Sequence, residues 1–393
     1  MQEIMISKRS KILFFLTGFF VFSSVYKLVL SNLLGINLNL PEILLIPLAF
    51  SLRKVVKFRF STTSLFFSLV LWAILYFLGK QQPSSGSLFT HSRGFLYIFL
   101  FYHFFKNSHT DFKTDFVFYL TLGSLVGWLI VSIYNLFLTR YSILDISGFT
   151  YGNLLSIPLF LSTAFLKDKK LWFNIGIGII IAIIFTAGLR RVIVVFLVSL
   201  ILLYFYPNVH TKFNKLLVSW GVLAIFGIVI YLNIDKIGDY IYQYSPTTYY
   251  RIFEKTIESI DEDMIAEDIQ RIGFIEYYLQ HYDDALFPNG FLKTSSEQEF
   301  GRYNDFPILE LSHTFGFIGL LLITVYFVRC LLLSMKKAYY QQNVLIYLIP
   351  GILVFVLAFL DGSFLTSPIV TPLTGLCLGK MSLSSKKNII NES

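Results

Sequence analysis

"IGIGIIIAIIFTAGLRRVIVVFLVSLILLYFY" runs from Ile175 to Tyr206, and its only charges are the adjacent Arg190 and Arg191. A helix needs about 20 apolar residues to cross a hydrocarbon core about 30 Å thick. Two permanent charges in the middle of such a run are expensive inside the bilayer. The stretch therefore divides into two spans, about 171–188 and 190–206, with the arginines at a tight turn between them. How these residues divide decides the fold: a chain of membrane helices joined by short connections.

Composition agrees. Of 393 residues, 55% are hydrophobic and only 14% are charged, and the mean hydropathy is +0.67. A water-soluble domain carries about 25% charged residues. The net charge of +8 does not indicate nucleic acid, because the basic residues lie in short clusters between apolar runs. There they orient helices, and no basic face or zinc spacing accompanies them. Cys330 and Cys377 both fall in apolar segments and read as small buried hydrophobes. The apolar run after Lys8, Arg9 and Lys11 lacks a small-residue cleavage site and reads as an uncleaved first helix.

The expected architecture is an all-α integral membrane protein with about twelve spans and one long outer loop. The spans are about 11–30, 34–51, 63–80, 87–106, 115–138, 148–166, 171–188, 190–206, 216–233, 307–330, 342–361 and 364–380. Residues 1–233 thus carry nine spans, 234–306 the outer loop, and 307–393 three spans and a tail. Pro41 and Glu42 interrupt the second span, and Pro368 and Pro372 the last. With the N-terminus inside, Lys and Arg number 20 in the inner segments and 5 in the short outer ones. Short loops set orientation, so both termini are expected in the cytoplasm. Arg190 and Arg191 oppose that bias. One reading has them snorkel to the interface and cap the helix pair. The other makes them an anion site at the outer edge of the membrane.

The loop 234–306 holds 15 of the 24 acidic residues and many tyrosines, as in "DYIYQYSPTTYYR" and "EYYLQHYDD". From Arg251 to Tyr282 its apolar residues recur at helical spacing, which predicts one or two amphipathic helices over the outer mouth. "FPNG" (287–290) predicts a turn. Arg271 follows Glu267 by four residues, the spacing of an ordinary helical ion pair. The tyrosines fit an interfacial belt or stacking on sugar rings. Next, Arg302, Tyr303, Asn304 and Asp305 lead into a span in which Glu310 and His313 share a face. That pair fits mutual hydrogen bonding or a polar cavity.

The stretch "YNDFPILELSHTFGFIGLL" (303–321) resembles the signature of bacterial O-antigen polymerases and O-antigen ligases. There a His-Asn, often followed by Asp, opens a membrane helix, and a Gly-x-x-Gly comes about ten residues on, here Gly316 and Gly319. "FTAGLRRVIVVFLVSLILLYF" (185–205) resembles the family's Ser-Arg motif, and "RIGFIEYYLQHYDDALFPNGF" (271–291) its Arg-helix and glycine turn. The resemblance covers roughly residues 150–380. Tyr303 stands where many members have His, and Leu189 where they have Ser. The resemblance implies a glycosyltransferase of the bacterial inner membrane acting at its outer face. Its donor would be an oligosaccharide on undecaprenyl diphosphate. Partners would be membrane lipid, a chain-length regulator and a flippase.

Such chemistry needs fixed cations where charge develops on the departing diphosphate. Arginine meets phosphate oxygens bidentately, so Arg190, Arg191 and Arg271 are the expected diphosphate ligands, with Arg302 a further candidate. The acceptor hydroxyl needs a base. Asp305 ranks first and His313 second, with Tyr303 and Asn304 positioning the sugar. A ligase would share these features and differ in its acceptor. A transporter is the rival from another class, but it binds near the midplane between repeats. No repeat is evident here, and the midplane charges are few: Lys27, Glu42, Glu310 and His313. No cofactor is expected, and "GLCLGKM" (375–381) has the wrong spacing for a phosphate loop. With no metal-ligand cluster in the sequence either, transfer by the purified protein is expected to survive a chelator such as EDTA; loss of activity restored by a divalent cation would overturn that.

Overall fold

The computed structural model describes residues 8–23, 25–29, 62–81, 88–106, 114–138, 153–166, 169–187, 190–205, 234–244, 286–291, 307–340, 344–360 and 370–386. Among the described residues every regular element is a helix. They are α1 (Lys8–Val21), α2 (Val25–Leu28), α3 (Thr62–Lys80), α4 (Leu88–Lys106), α5 (Thr114–Leu138), α6 (Ser156–Leu166), α7 (Lys170–Ala187), α8 (Arg190–Phe205), α9 (Ile234–Tyr244), α10 (Pro307–Tyr340), α11 (Leu345–Leu360) and α12 (Thr371–Lys386). Three contain segments long and apolar enough to cross a membrane: Thr63–Lys80, Asp115–Tyr134 and Leu311–Ala338. The segment in α5 is 72% buried inside the bundle, whereas those in α3 and α10 are only 11% buried. Those two helices turn large side chains outward, among them Phe66, Phe67, Leu322 and Val325. So broad an apolar exterior belongs in hydrocarbon rather than in water.

Lipid is as apolar as the helices, so hydrophobicity alone does not hold them together; close backbone packing over small residues does. Gly123 and Gly127, four apart on α5, lie against backbone atoms of Phe15 and Phe19 on α1 and against the adjoining Ser23. Gly18 returns the contact at Leu120, and the Ser124 hydroxyl donates to the Phe22 carbonyl at 3.1 Å. On α12, Gly375 and Gly379 repeat the spacing. They rest on α4 at the Ile98 carbonyl and the Tyr102 backbone. The glycines of "GLCLGKM" are thus a helix-packing stripe. Aromatic contacts fill the seams, with Phe14 edge-on to Phe116 at 4.7 Å and Phe118 stacked on Phe160 at 5.3 Å.

These contacts also give direction. α1 and α5 run parallel, as do α4 and α12. Phe95 meets Phe315 and Tyr102 meets Tyr326, so α10 runs with α4. α3 runs against α4, pairing Trp72 with Ser92 and Ser68 with His103. Lys169, just before α7, sits 4.0 Å over the Phe118 ring and 3.8 Å from Asp115, so α5 and α7 begin together. Residues 107–113 are too few to recross the bundle between Lys106 and Thr114. One end of the bundle therefore gathers the close of α4 and the starts of α1, α5 and α7. The other gathers the close of α3 and α7 and the starts of α4, α8 and α10. We call these the Lys106 end and the Arg190 end.

Several span edges differ from expectation. The expected span 11–30 breaks after Val21, where Ser23 draws its own hydroxyl onto the Phe19 carbonyl. Residue 156, not 148, begins α6, because the Asn153 side chain caps its start by accepting from the Leu155 N–H at 3.2 Å. α10 continues ten residues past the expected 330, to Tyr340, and α12 begins at Thr371 rather than 364. The spans expected at 34–51 and 216–233, and the amphipathic helices expected over 251–282, lie outside the described residues. The described part of the loop also holds a helix not anticipated, α9, on which Tyr240 and Tyr242 stand exposed.

Gly178, on α7, has nothing within 4 Å of a built Cβ, whereas Gly123 faces backbone. Gly123→Ala should lower the melting temperature of the purified protein, through overpacking worth about 1–3 kcal/mol. Gly178→Ala should leave it unchanged or raise it, by up to about 1 kcal/mol of helix propensity.

Candidate functional site

Pro307 opens α10, where its missing N–H costs nothing and its fixed φ suits the first turn. Three turns on, Gly316 breaks the helix at φ 72°, ψ 163°. That region is essentially open to glycine alone. The break leaves the His313 carbonyl without its helical donor. The turn predicted at 287–290 supplies one: the Asn289 N–H donates to it at 3.0 Å. At the other edge of the same segment the Phe291 N–H donates to the Leu75 carbonyl of α3 at 3.1 Å. Residues 286–291 are therefore wedged between α3 and α10. Irregular backbone at membrane depth is tolerated only under such cover.

Two further glycines let the wedge seat. Gly290, at φ 83°, lies so close to α3 that an added Cβ would strike Gly79 N and Leu75 O. A Cβ on Gly79 would strike the Phe291 carbonyl in return. Phe291 is fully buried. Its ring lies 5.1 Å from Phe95 and 6.4 Å from Trp72, and Phe95 in turn meets Phe315 at 6.0 Å. The Trp72 indole N–H is satisfied by the Ser92 carbonyl at 2.9 Å. Leu286 and Phe287, by contrast, stand exposed at the mouth of the wedge.

The structure thus joins two motifs that the sequence read separately, the glycine turn and the His313–Gly316 segment. Gly316 and Gly319 are not equivalent. Gly316 carries the break, whereas a Cβ at Gly319 would meet only Phe315 Cβ, at 3.0 Å. Arg190 and Arg191 begin α8 at the same end of the bundle, where the helix dipole reinforces their positive charge. Arg271, Arg302, Tyr303, Asn304 and Asp305, expected at the site, lie outside the described residues.

The sequence reading used Arg93 only to count charge. It is 4% exposed, in the second turn of α4, with its guanidinium carbon 5.9 Å from the centre of the Phe89 ring. The signal that marked Arg190 marks this residue also: a cation on the side where orientation disfavours it. The Arg190 end thus holds the buried Arg93, the start of α8, and an imidazole-bearing residue whose backbone is pinned by a neighbouring segment. Among the described residues no three His, Cys, Asp or Glu side chains gather to hold a metal. Comparison of the chain with known protein families, with curated proteins and with solved structures returns no match.

Gly316→Ala should undock the wedge, since the new Cβ would come within 2.7 Å of the Leu286 carbonyl and add backbone strain. Strain at such a residue is worth about 1–3 kcal/mol. Faster proteolysis at 286–291 in Gly316→Ala, with Gly319→Ala close to wild type, is the expected pattern.

Proposed function

We propose that the protein is a surface-polysaccharide polymerase of the bacterial inner membrane, with twelve spans and both termini in the cytoplasm. It transfers a growing glycan from undecaprenyl diphosphate to the terminal sugar of a second lipid-linked repeat unit. The observation that carries this reading is the docking of 286–291 onto α10 at His313 and Gly316. These are two of the motifs behind the family resemblance, and they meet at the end of the bundle where Arg190 begins α8.

In the reaction, the acceptor hydroxyl attacks the anomeric carbon and its proton passes to a base, Asp305 first and His313 second. The bond from that carbon to the diphosphate oxygen breaks, and undecaprenyl diphosphate leaves with the electron pair. Arg190, Arg191 and Arg271 meet the charge that develops there, assisted by Arg302. These contacts strengthen as the bond breaks, so they lower the barrier rather than merely tighten binding. Tyr303 and Asn304 hold the acceptor sugar.

The test is the length of the surface glycan in cells deleted for the protein and complemented with wild type, Arg191→Ala, Arg271→Ala or Asp305→Asn at matched membrane levels. Deletion should leave glycans of a single repeat unit. Each variant should fail to restore long chains, because losing one charge-stabilising arginine costs about 10²–10³ in rate and losing the base about 10²–10⁴. Loss of all surface glycan with long lipid-linked chains accumulating would indicate a ligase instead. An unchanged glycan after deletion would overturn the glycosyltransferase reading.

A further inference from the structure

A cavity of about 530 Å³ lies between α3, α4, α10, α11 and α12. Sites for small molecules span about 300–1,000 Å³. The cavity is long. Its lining residues on α10 include the run from Leu320 to Leu331, about 16 Å of helix at about 1.5 Å per residue. Most of its wall is apolar, with Phe99, Ile323, Leu331 and Val354 among the lining side chains. One end is walled by Phe95 and Phe315, the rings that meet beside Phe291. Leu322 and Phe355 line the cavity and are also exposed on the apolar flank of the bundle, so it opens sideways toward lipid. A long apolar space with a lateral mouth in hydrocarbon suits a lipid chain.

Polar residues line it toward the Lys106 end: Ser64 and Ser68 of α3, Tyr102 and His103 of α4, and Tyr326 of α10. The His103 imidazole bridges the two serines, with Nε2 at 2.7 Å from Ser68 Oγ and Nδ1 at 3.4 Å from Ser64 Oγ. The Tyr102 hydroxyl donates to Ser382 Oγ at 3.2 Å. A phenol has one proton, so in the 2.7 Å contact between Tyr102 and Tyr326 it is Tyr326 that donates. Both phenol protons are thus spent within the cluster. What the two oxygens still offer an incoming molecule is a lone pair, so a head group seated there must bring its own O–H. Among the described residues that line the cavity, none is Asp, Glu, Lys or Arg. A charged head would leave water there without a countercharge, which is costly.

We propose that the cavity binds one uncharged, single-chain lipid that carries a free hydroxyl, of the monoacylglycerol type, with its chain along α10 and its hydroxyl on the Tyr102–Tyr326 pair. The apolar walls and lateral mouth select a chain, the spent phenol protons select an O–H donor, and the uncharged lining selects against a phosphate or an amine. The polar end of the site lies opposite the Arg190 end, so the site is separate from the proposed diphosphate site and does not depend on that reading.

The test uses full-length protein in dioleoylphosphatidylcholine nanodiscs and a monooleoylglycerol with a photoactivated diazirine in its chain, the crosslinks being mapped by mass spectrometry. Labelling should fall on the cavity side chains of α4 and α10. Unlabelled monooleoylglycerol should displace the probe. Methyl oleate, which has the chain but no O–H, and oleoyl lysophosphatidate, which adds a phosphate, should displace it far less. Tyr326→Phe should weaken displacement by monooleoylglycerol about two- to tenfold, the worth of one hydrogen bond. Thr324→Trp, filling the cavity, should abolish labelling. Equal displacement by methyl oleate would overturn the head-group reading, and equal displacement by the lysophosphatidate the requirement for no charge. Labelling confined to the outward face of α3 at Phe66 and Phe67, or undiminished in Thr324→Trp, would overturn the site. If Thr324→Trp does not fold, undiminished labelling in Leu322→Trp, at the exposed mouth, overturns it instead.

Discussion

Inside hydrocarbon every backbone N–H and C=O must find a partner within the protein. Among the described residues, the Asn289 N–H on the His313 carbonyl is one place where this demand is met outside regular helix. Gly316 interrupts α10 and frees the carbonyl; residues 286–291 answer it and, through Phe291, are answered by α3. Each partner makes the other tolerable. Without the turn the break would leave a buried acceptor unmet, and without the break the turn would have nothing to join. His313 sits at this junction, so its backbone position is a property of three segments far apart in the sequence.

Glycine serves two different physical ends here. On α5 and α12 it removes a side chain so that helices pack backbone to backbone, which is how association proceeds where burial from water offers little. At Gly290 and Gly316 it supplies a positive φ that other residues do not sustain. The two uses divide the molecule. The pairs α1–α5 and α4–α12 pack backbone to backbone, while both positive-φ glycines among the described residues lie at the wedge.

Much of this was legible beforehand. The apolar runs located the helices because hydrocarbon imposes a length and composition that no other environment demands. The pair of arginines that opens α8 was legible for the same reason, since charges inside so long an apolar run must mark its division into two helices. The "FPNG" turn was legible as a turn, but its burial was not. Nothing local shows that Phe291 enters a cluster of Trp72, Phe95 and Phe315, because those rings come from three other segments. Arg93 was passed over because its burial depends on neighbours that the sequence does not order in space.

By itself, then, the sequence determined that the described chain is helical and apolar outside, roughly where its helices lie though several edges missed by seven to ten residues, and which residue types gather near a turn. These follow from local composition, propensity and the thickness of a membrane. Only the tertiary structure decided that the glycine turn docks on His313, that Gly316 rather than Gly319 breaks α10, and that α10 and α12 meet where the Ser334 hydroxyl reaches the Met381 carbonyl. Those outcomes depend on which helices lie side by side, and between apolar helices in lipid that choice rests on shape and a few backbone contacts, which no single segment encodes.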